Sequence, residues 1–376
     1  RPMNVGRGSV VTGQNFFAKT RGAGSNPPSR FLHRSSEAAS DDWGDGSDVL
    51  EHWRSKNVRV QTQPDLTRRL ITTNRSPDIP FDQSINPYKG YEHGCIYCLA
   101  RPTHAYLDLS PGLDFETRIF YKSNVREQLL TELAGKRYRV SPIAMGTNTD
   151  PYQPLERSLR VTRSVLEVAL HARHPVSIVT KGALVLHDLD LLSELAAHGL
   201  AHVSVSLTTL DQPLKNRLEP RTASPNARLK MIAELHKAGV PTGVMFAPII
   251  PYINDHELET MVEAAKDAGA SWGAYILLRL PRAVRGLFAE WLNNHYPERA
   301  AKVLNVLGAH HQDAKARTQW GVRMRGTGVF ADLLSQRFAR AIRKVGLDKD
   351  RESLRTDLFC PPRQATPDHQ QLGLFD

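Results

Sequence analysis

The chain has 376 residues, a formal net charge of +10 and three cysteines. That length supports one large α/β domain with extensions or two ordinary domains, so a sizeable core is available without a disulfide scaffold. No segment approaches the ~18 consecutive apolar residues of a spanning helix. An odd set of cysteines, two of them in a C-x-x-C, points to a reducing compartment, so a cytoplasmic protein with no membrane partner is expected.

Residues 1–50 carry 7 Gly, 7 Ser and 3 Pro with few large apolar side chains. Residues 1–76 therefore read as a mostly disordered arm and lead-in. From about Ser84 short β-rich runs alternate with amphipathic helical ones. The strand candidates are SINPY (84–88), SPIAMG (141–146), VSIVT (176–180), HVSVSLT (202–208), PTGVMFAP (241–248) and GAYILLRLP (273–281). Helices with readable ends lie between them. One has Ser224 as N-cap, Pro225 at the first position and Gly239 as stop, and another runs from Asn254 to Gly269.

Continuous apolar strands, each followed by a helix, call for a parallel sheet with right-handed crossovers. Six strands suit a partial (β/α)6, TIM-like barrel over residues 77–285, whose ligands gather at the C-terminal strand ends. Residues 286–360 read as a basic helical extension and 361–376 as a flexible tail.

The loops after the strands are rich in small, hydroxylated and charged residues: GTNTDPYQP (146–154), TKG (180–182), SLTTLD (206–211), LEPRTASP (218–225) and PIIPYINDHE (248–257). The loop after the first strand holds Cys95 and Cys98, with His93 and His104 close by. The spacing suits a metal, a redox dithiol or part of an iron–sulfur site. A zinc site of the two cysteines and two histidines does not follow a common finger spacing. A thioredoxin-like dithiol would open a helix, for which Ala100-Arg101-Pro102 leaves little room.

The strings SPDIPFDQSINPYKG, HGCIYC, ARPTHAYLDLSPGLDFET, TDPYQPLER, TTLD and EPR, collinear from about Pro77 onward, closely resemble the radical S-adenosylmethionine superfamily. Within it they resemble a bacterial group similar to spore photoproduct lyase. The resemblance implies a [4Fe–4S] cluster on a C-x3-C-x2-C triplet, S-adenosylmethionine on the fourth iron, an electron donor, and radical chemistry on an unknown substrate, possibly nucleic acid. It implies Cys95 and Cys98 as metal ligands and Tyr97 beside the adenine. Gly146, Thr147, Thr149 and Asp150 would stand near the methionyl amino group, Lys181 and Arg221 near the carboxylate, and Ser206 and Asn254 near the ribose. The first cysteine of the triplet should stand at 91, where this chain has Tyr91. A phenol is a poor substitute for a thiolate. The missing ligand is then Cys360, His93 or His104, or the fold persists without the cluster, as a DNA-associated scaffold or a zinc protein, or residue 91 is a variant or a sequence error.

Two features bear on partners. Residues 315–355 contain eleven Lys or Arg against four acids, a segment that would draw a phosphate-rich partner such as nucleic acid. The terminal string of Gln371, Leu372, Gly373, Leu374 and Phe375 resembles the short peptides that dock on the DNA sliding clamp, with Leu374 and Phe375 as apolar anchors.

Overall fold

The computed structural model describes residues 21–29, 59–76, 79–312, 326–349 and 351–362. The tail peptide 371–376 and the cations Lys315, Arg317, Arg323 and Arg325 lie outside the described residues.

Six strands form the scaffold: β1 (Gln83–Ile85), β2 (Ile143–Met145), β3 (Val176–Thr180), β4 (Ala201–Ser206), β5 (Thr242–Ile249) and β6 (Trp272–Leu277). They pair in sequence order, each parallel to the next. The short antiparallel strand Thr72–Thr73 lies on the free edge of β1, so the sheet is open and mixed. The expected partial barrel is this arrangement, without closure between β6 and the Thr72–Thr73 edge. β4 is buried along its whole length, because helices cover the sheet and side chains from its other face fill the interior.

The crossovers run through α1 (Val125–Leu133), α2 (Val161–His171), α3 (Leu189–Ala197), α4 (Pro225–Lys237) and α5 (Leu258–Asp267). In α4 the sequence signals are realised locally. The Ser224 hydroxyl accepts from Ala227 N at 3.1 Å, and Gly239 turns the chain with φ +75°. The α5 start differs from expectation: Asn254 does not cap the helix, which is preceded by a 3-10 turn at Asp255–Glu257. The Asn254 side chain instead accepts from Ile250 N at 2.6 Å and donates to Thr208 O and Pro248 O at 2.7 and 3.0 Å.

After β6 come α6 (Arg282–His295), α7 (Pro297–Gln312) and α8 (Val329–Val345). α8 lies on α5, where Arg337 bonds Glu259 at 2.7 Å and Lys344 bonds Glu263 at 2.8 Å. Arg337, half-buried, is thus turned to packing, while Arg340, Arg343 and Lys344 are exposed. Residues 21–29 lie within the arm expected to be disordered, yet they pack on the cysteine loop, with Arg21, Ala23 and Ser29 buried. Among the described residues no helix is long and apolar enough to cross a membrane.

Candidate functional site

The loop after β1 is knitted to its surroundings by backbone bonds. Tyr91 N donates to Phe115 O at 2.7 Å, Ile96 N to Leu218 O at 3.1 Å, and Arg221 N to His93 O at 3.2 Å. These bonds bring Cys95 and Cys98 into the interior, both as free thiols. Burial pushes the Cys95 thiol up to about 12, with Glu219 adding to the rise, and burial also raises Cys98. Both are therefore thiols at neutral pH, and a metal would have to displace their protons.

Tyr91 fills the third corner of this loop. Its ring meets His93 edge-on at 5.2 Å and Phe115 at 6.2 Å. Burial, reinforced by the neighbouring thiols and Asp150, holds the phenol well above its usual range, so it is neutral. The other candidate ligands are placed elsewhere or engaged. His104 Nε2 bonds Arg118 O at 2.9 Å, and exposed Cys360 is tied to Ala172 at the opposite end of the sheet. His93 is kept neutral by burial, at about 4, with Nδ1 3.6 Å from Asp150 Oδ2. Among the described residues no three His, Cys, Asp or Glu side chains are grouped to hold a metal ion. The two thiols and a buried, neutral phenol do not fit a cluster that requires three thiolates.

Beside the thiols a cleft of about 200 Å³ opens across the C-terminal strand ends. Tyr97, Gly146, Thr147, Asn148, Thr149, Asp150, Lys181 and Ser206 line it together with Cys95 and Cys98. Its apolar wall comes from Val179, Met245, Ala247, Pro248 and Leu277. Ligand clefts span roughly 300–1,000 Å³, so an occupant of cofactor size would be partly exposed. Gly146 is demanded by the geometry: its φ is +87°, and a Cβ there would stand 1.9 Å from Val179 O. Asp150 is largely spent on scaffolding. It accepts from Tyr152 N (2.8 Å), Thr180 Oγ1 (2.5 Å) and Lys181 N (2.7 Å), and so ties the loop after β2 to the end of β3. Lys181 Nζ sits 5.9 Å from the Tyr97 ring centre and brings a positive charge to the wall.

Under the cleft lies a buried ion pair that sequence reasoning passed over. Glu219 pairs with Arg228 and accepts hydrogen bonds from Tyr97 Oη and from Thr208 Oγ1, the latter at 2.6 Å. Burial pushes the carboxyl up, but Arg228, Lys181 and these hydroxyls outweigh it and hold Glu219 at about 2. Arg228 Nη1 in turn donates to Ser206 O at 3.0 Å. One pair thus fixes both the cysteine loop and the end of β4. A signal was present: Arg228 occupies the buried stripe of α4 with Pro225, Met231, Ile232 and Leu235, where an apolar residue would be expected.

Two expected residues lie outside the cleft lining. Arg221 is about one-third exposed and pairs with Glu92, and Asn254 is fully buried, its amide committed to the turn after β5. Both brace the rim.

Residues 85–265 match the family model described as the Radical SAM superfamily. An uncharacterized protein of Mycobacterium tuberculosis is 38% identical over 222 residues, which is 58% of this chain and 65% of that protein. The chain thus spans about 65% of the length of its mycobacterial relatives. An uncharacterized protein of Methanocaldococcus jannaschii is 26% identical over 242 residues, covering 64% of this chain and 86% of that one. Spore photoproduct lyase, in a complex with dinucleoside spore photoproduct, superposes with a TM-score of 0.53 at 17% identity, over 76% of this chain and 79% of that one. This last likeness is one of fold.

Proposed function

We propose, from the match of residues 85–265 to the Radical SAM superfamily model, that the chain binds S-adenosylmethionine in the cleft beside Cys95 and Cys98. The observation that carries this reading is the convergence of Tyr97, Gly146, Thr147, Thr149, Lys181 and Ser206, from four separate loops and strand ends, on one cleft. Lys181 would meet the carboxylate, backbone groups of 146–149 the amino group, Ser206 the ribose, and the apolar wall with Tyr97 the adenine. When bound, the cofactor supplies a sulfonium centre. The chain's own contribution is to hold it over the two thiols with its apolar parts away from water.

The superfamily's cluster does not fit the residues present, so the chain as it stands is read as a cofactor-binding protein short of one thiolate. Titration calorimetry with S-adenosylmethionine tests the binding. Saturable heat, lost when Ser206→Trp fills the cleft, is expected, and no binding by the unaltered chain would overturn the reading. Anaerobic reconstitution tests the ligand count. The unaltered chain should retain little iron and Tyr91→Cys a full cluster, and equal iron in both would refute it.

For the substrate, a second groove favours a nucleic-acid strand. Arg69 lines it with exposed Tyr106 and with Lys89 and Lys122, which share Asp65 and leave a net positive charge, and it shares Asn148 and Thr149 with the cleft. Cations beside an exposed ring suit phosphates and an unstacked base. Fluorescence anisotropy with a short single-stranded oligonucleotide should give binding that weakens with salt and is reduced by Arg69→Ala with Tyr106→Ala. Salt-independent binding, or none, would count against it.

A further inference from the structure

Residues 21–29 sit against the back of the cysteine loop, away from the cleft. Gly22 N and Ala23 N, consecutive donors, both point at the Glu116 carboxylate, at 3.0 Å to Oε2 and 2.8 Å to Oε1, and Arg21 Nη1 donates to Glu116 O at 3.0 Å. Glu116 is fully buried, and its Oε1 also meets Arg101 Nη2 at 2.5 Å. Arg101, equally buried, directs Nε and Nη2 onto the Cys95 carbonyl at 3.0 and 2.9 Å. Its Nη1 reaches Pro111 O and Gly112 O, both at 3.0 Å. An unbroken relay of charge-assisted bonds therefore runs from the segment, through Glu116 and Arg101, to the backbone of a site cysteine.

The fit is steric as well as polar. A Cβ on Gly22 would stand 1.7 Å from Gly94 O, and one on Gly112 would stand 2.1 Å from Ser25 O. Only bare backbone passes at either crossing. The rest of the segment is held by side chains. Asn26 Nδ2 donates to Asp114 Oδ1 at 3.0 Å, and Asn26 Oδ1 accepts from Asp114 N at 3.1 Å. Ser25 Oγ donates to Glu290 Oε2 at 2.9 Å, and Ser110 Oγ to Pro27 O at 2.5 Å. Few apolar atoms are involved, so the docking is specific in shape and polarity without a large hydrophobic term.

We propose that residues 21–29 act as a tethered peptide ligand of the cysteine loop, and that its docking is what holds Cys95 and Cys98 closed and unreactive. Without it, Glu116 loses two of its three carboxylate donors while still buried, and its under-satisfied carboxylate is free to shift and draw Arg101 off the Cys95 carbonyl. The loop then opens locally while the barrel, whose core lies elsewhere, remains folded. The segment positions the thiols and takes no part in binding S-adenosylmethionine, so the idea stands apart from the cofactor reading.

The test is the rate at which Cys95 and Cys98 are alkylated by iodoacetamide, followed by mass spectrometry, with exposed Cys360 as internal control. In the full chain Gly22→Val should speed Cys95 and Cys98 by about tenfold, equivalent to about 1.4 kcal/mol of easier opening, and leave Cys360 unchanged. A chain lacking residues 1–29 should behave likewise, and adding the synthetic peptide RGAGSNPPS should slow its alkylation again. Peptide rescue separates docking from general instability. Unchanged Cys95 and Cys98 rates in Gly22→Val would overturn the proposal, as would fast alkylation of the truncated chain that the peptide does not slow.

Discussion

The two ends of the parallel sheet are built from different chemistry. At the C-terminal ends, charged groups are taken into the interior: Glu219 with Arg228, Glu116 with Arg101, and Asp150 against backbone N–H groups. At the N-terminal ends the contacts are aromatic and neutral. Tyr138, His174 and Phe359 form a ring cluster with centroids 5.3 to 5.8 Å apart, and His202 meets Trp272 at 5.7 Å. Residues 351–362 strap this end through Arg355 N to Gly199 O and Cys360 N to Ala172 O. Buried ion pairs are costly to assemble and hydrophobic replacements often equal them in stability. Their concentration at one end fits the cleft proposed for the ligand, while the aromatic contacts of the other end serve cohesion.

The largest effect should come from halving the ion pair under the cleft. Glu219→Ala leaves Arg228 buried without its carboxylate and should cost about 3–5 kcal/mol in urea unfolding. It should also free the Tyr97 hydroxyl and weaken S-adenosylmethionine binding. A loss below about 1 kcal/mol would place this pair with ordinary surface pairs and break the contrast between the two ends.

Paired glycine substitutions sharpen it. Gly146→Ala combines a positive φ with a Cβ in collision with Val179 O, so a loss of up to about 3 kcal/mol and failure of ligand binding in calorimetry are expected. Gly239→Ala has a similar φ, +75°, but open space around it, and lies in the turn before β5. It should cost only about 1 kcal/mol of strain and leave binding untouched. Equal binding losses would mean that the two ends are not independent.

Both ends should respond to acid, the C-terminal end through His93 and the N-terminal end through two histidines. Burial holds His174 and His202 at about 4, below the unfolded value of about 6.5. The folded state thus favours the neutral rings, so their stabilising contribution is complete above about 6.5 and is lost as pH falls through 4. The melting temperature should drop over that window, and His202→Asn should flatten the drop. A profile unchanged by the substitution would remove His202 from the account.

The smallest effect belongs to the outside of the strap. Arg355 and Asp357 are exposed and bonded at 2.7 Å. Arg355→Ala should leave the melting temperature unmoved at physiological salt, because solvent and ions screen such a pair. A clear drop would show that this ion pair, and not only the backbone bonds, holds the strap.

All six parallel strands and both ends of α4 were legible in the residues, because apolar runs, N-caps and helix-stopping glycines act within a few positions of themselves. The cysteine loop and most of the cleft residues were legible as well, since a C-x-x-C and strand-end loops lie contiguous in the chain. What folding alone decided was how distant polar groups are shared. Glu219 and not Arg221 became the hub of the EPR string, because packing buries the first and leaves the second at the rim. Asn254 was drawn from its helix start by orphaned backbone groups at Thr208, Pro248 and Ile250. Cys360 ended at the far end of the sheet from Cys95. The Gly-rich stretch 21–29 looked like a disordered arm because its low hydrophobicity offers nothing to a local core. It is ordered by a carboxylate 93 to 94 positions away, and a hydrogen bond to so distant a residue has no signature in local composition or periodicity.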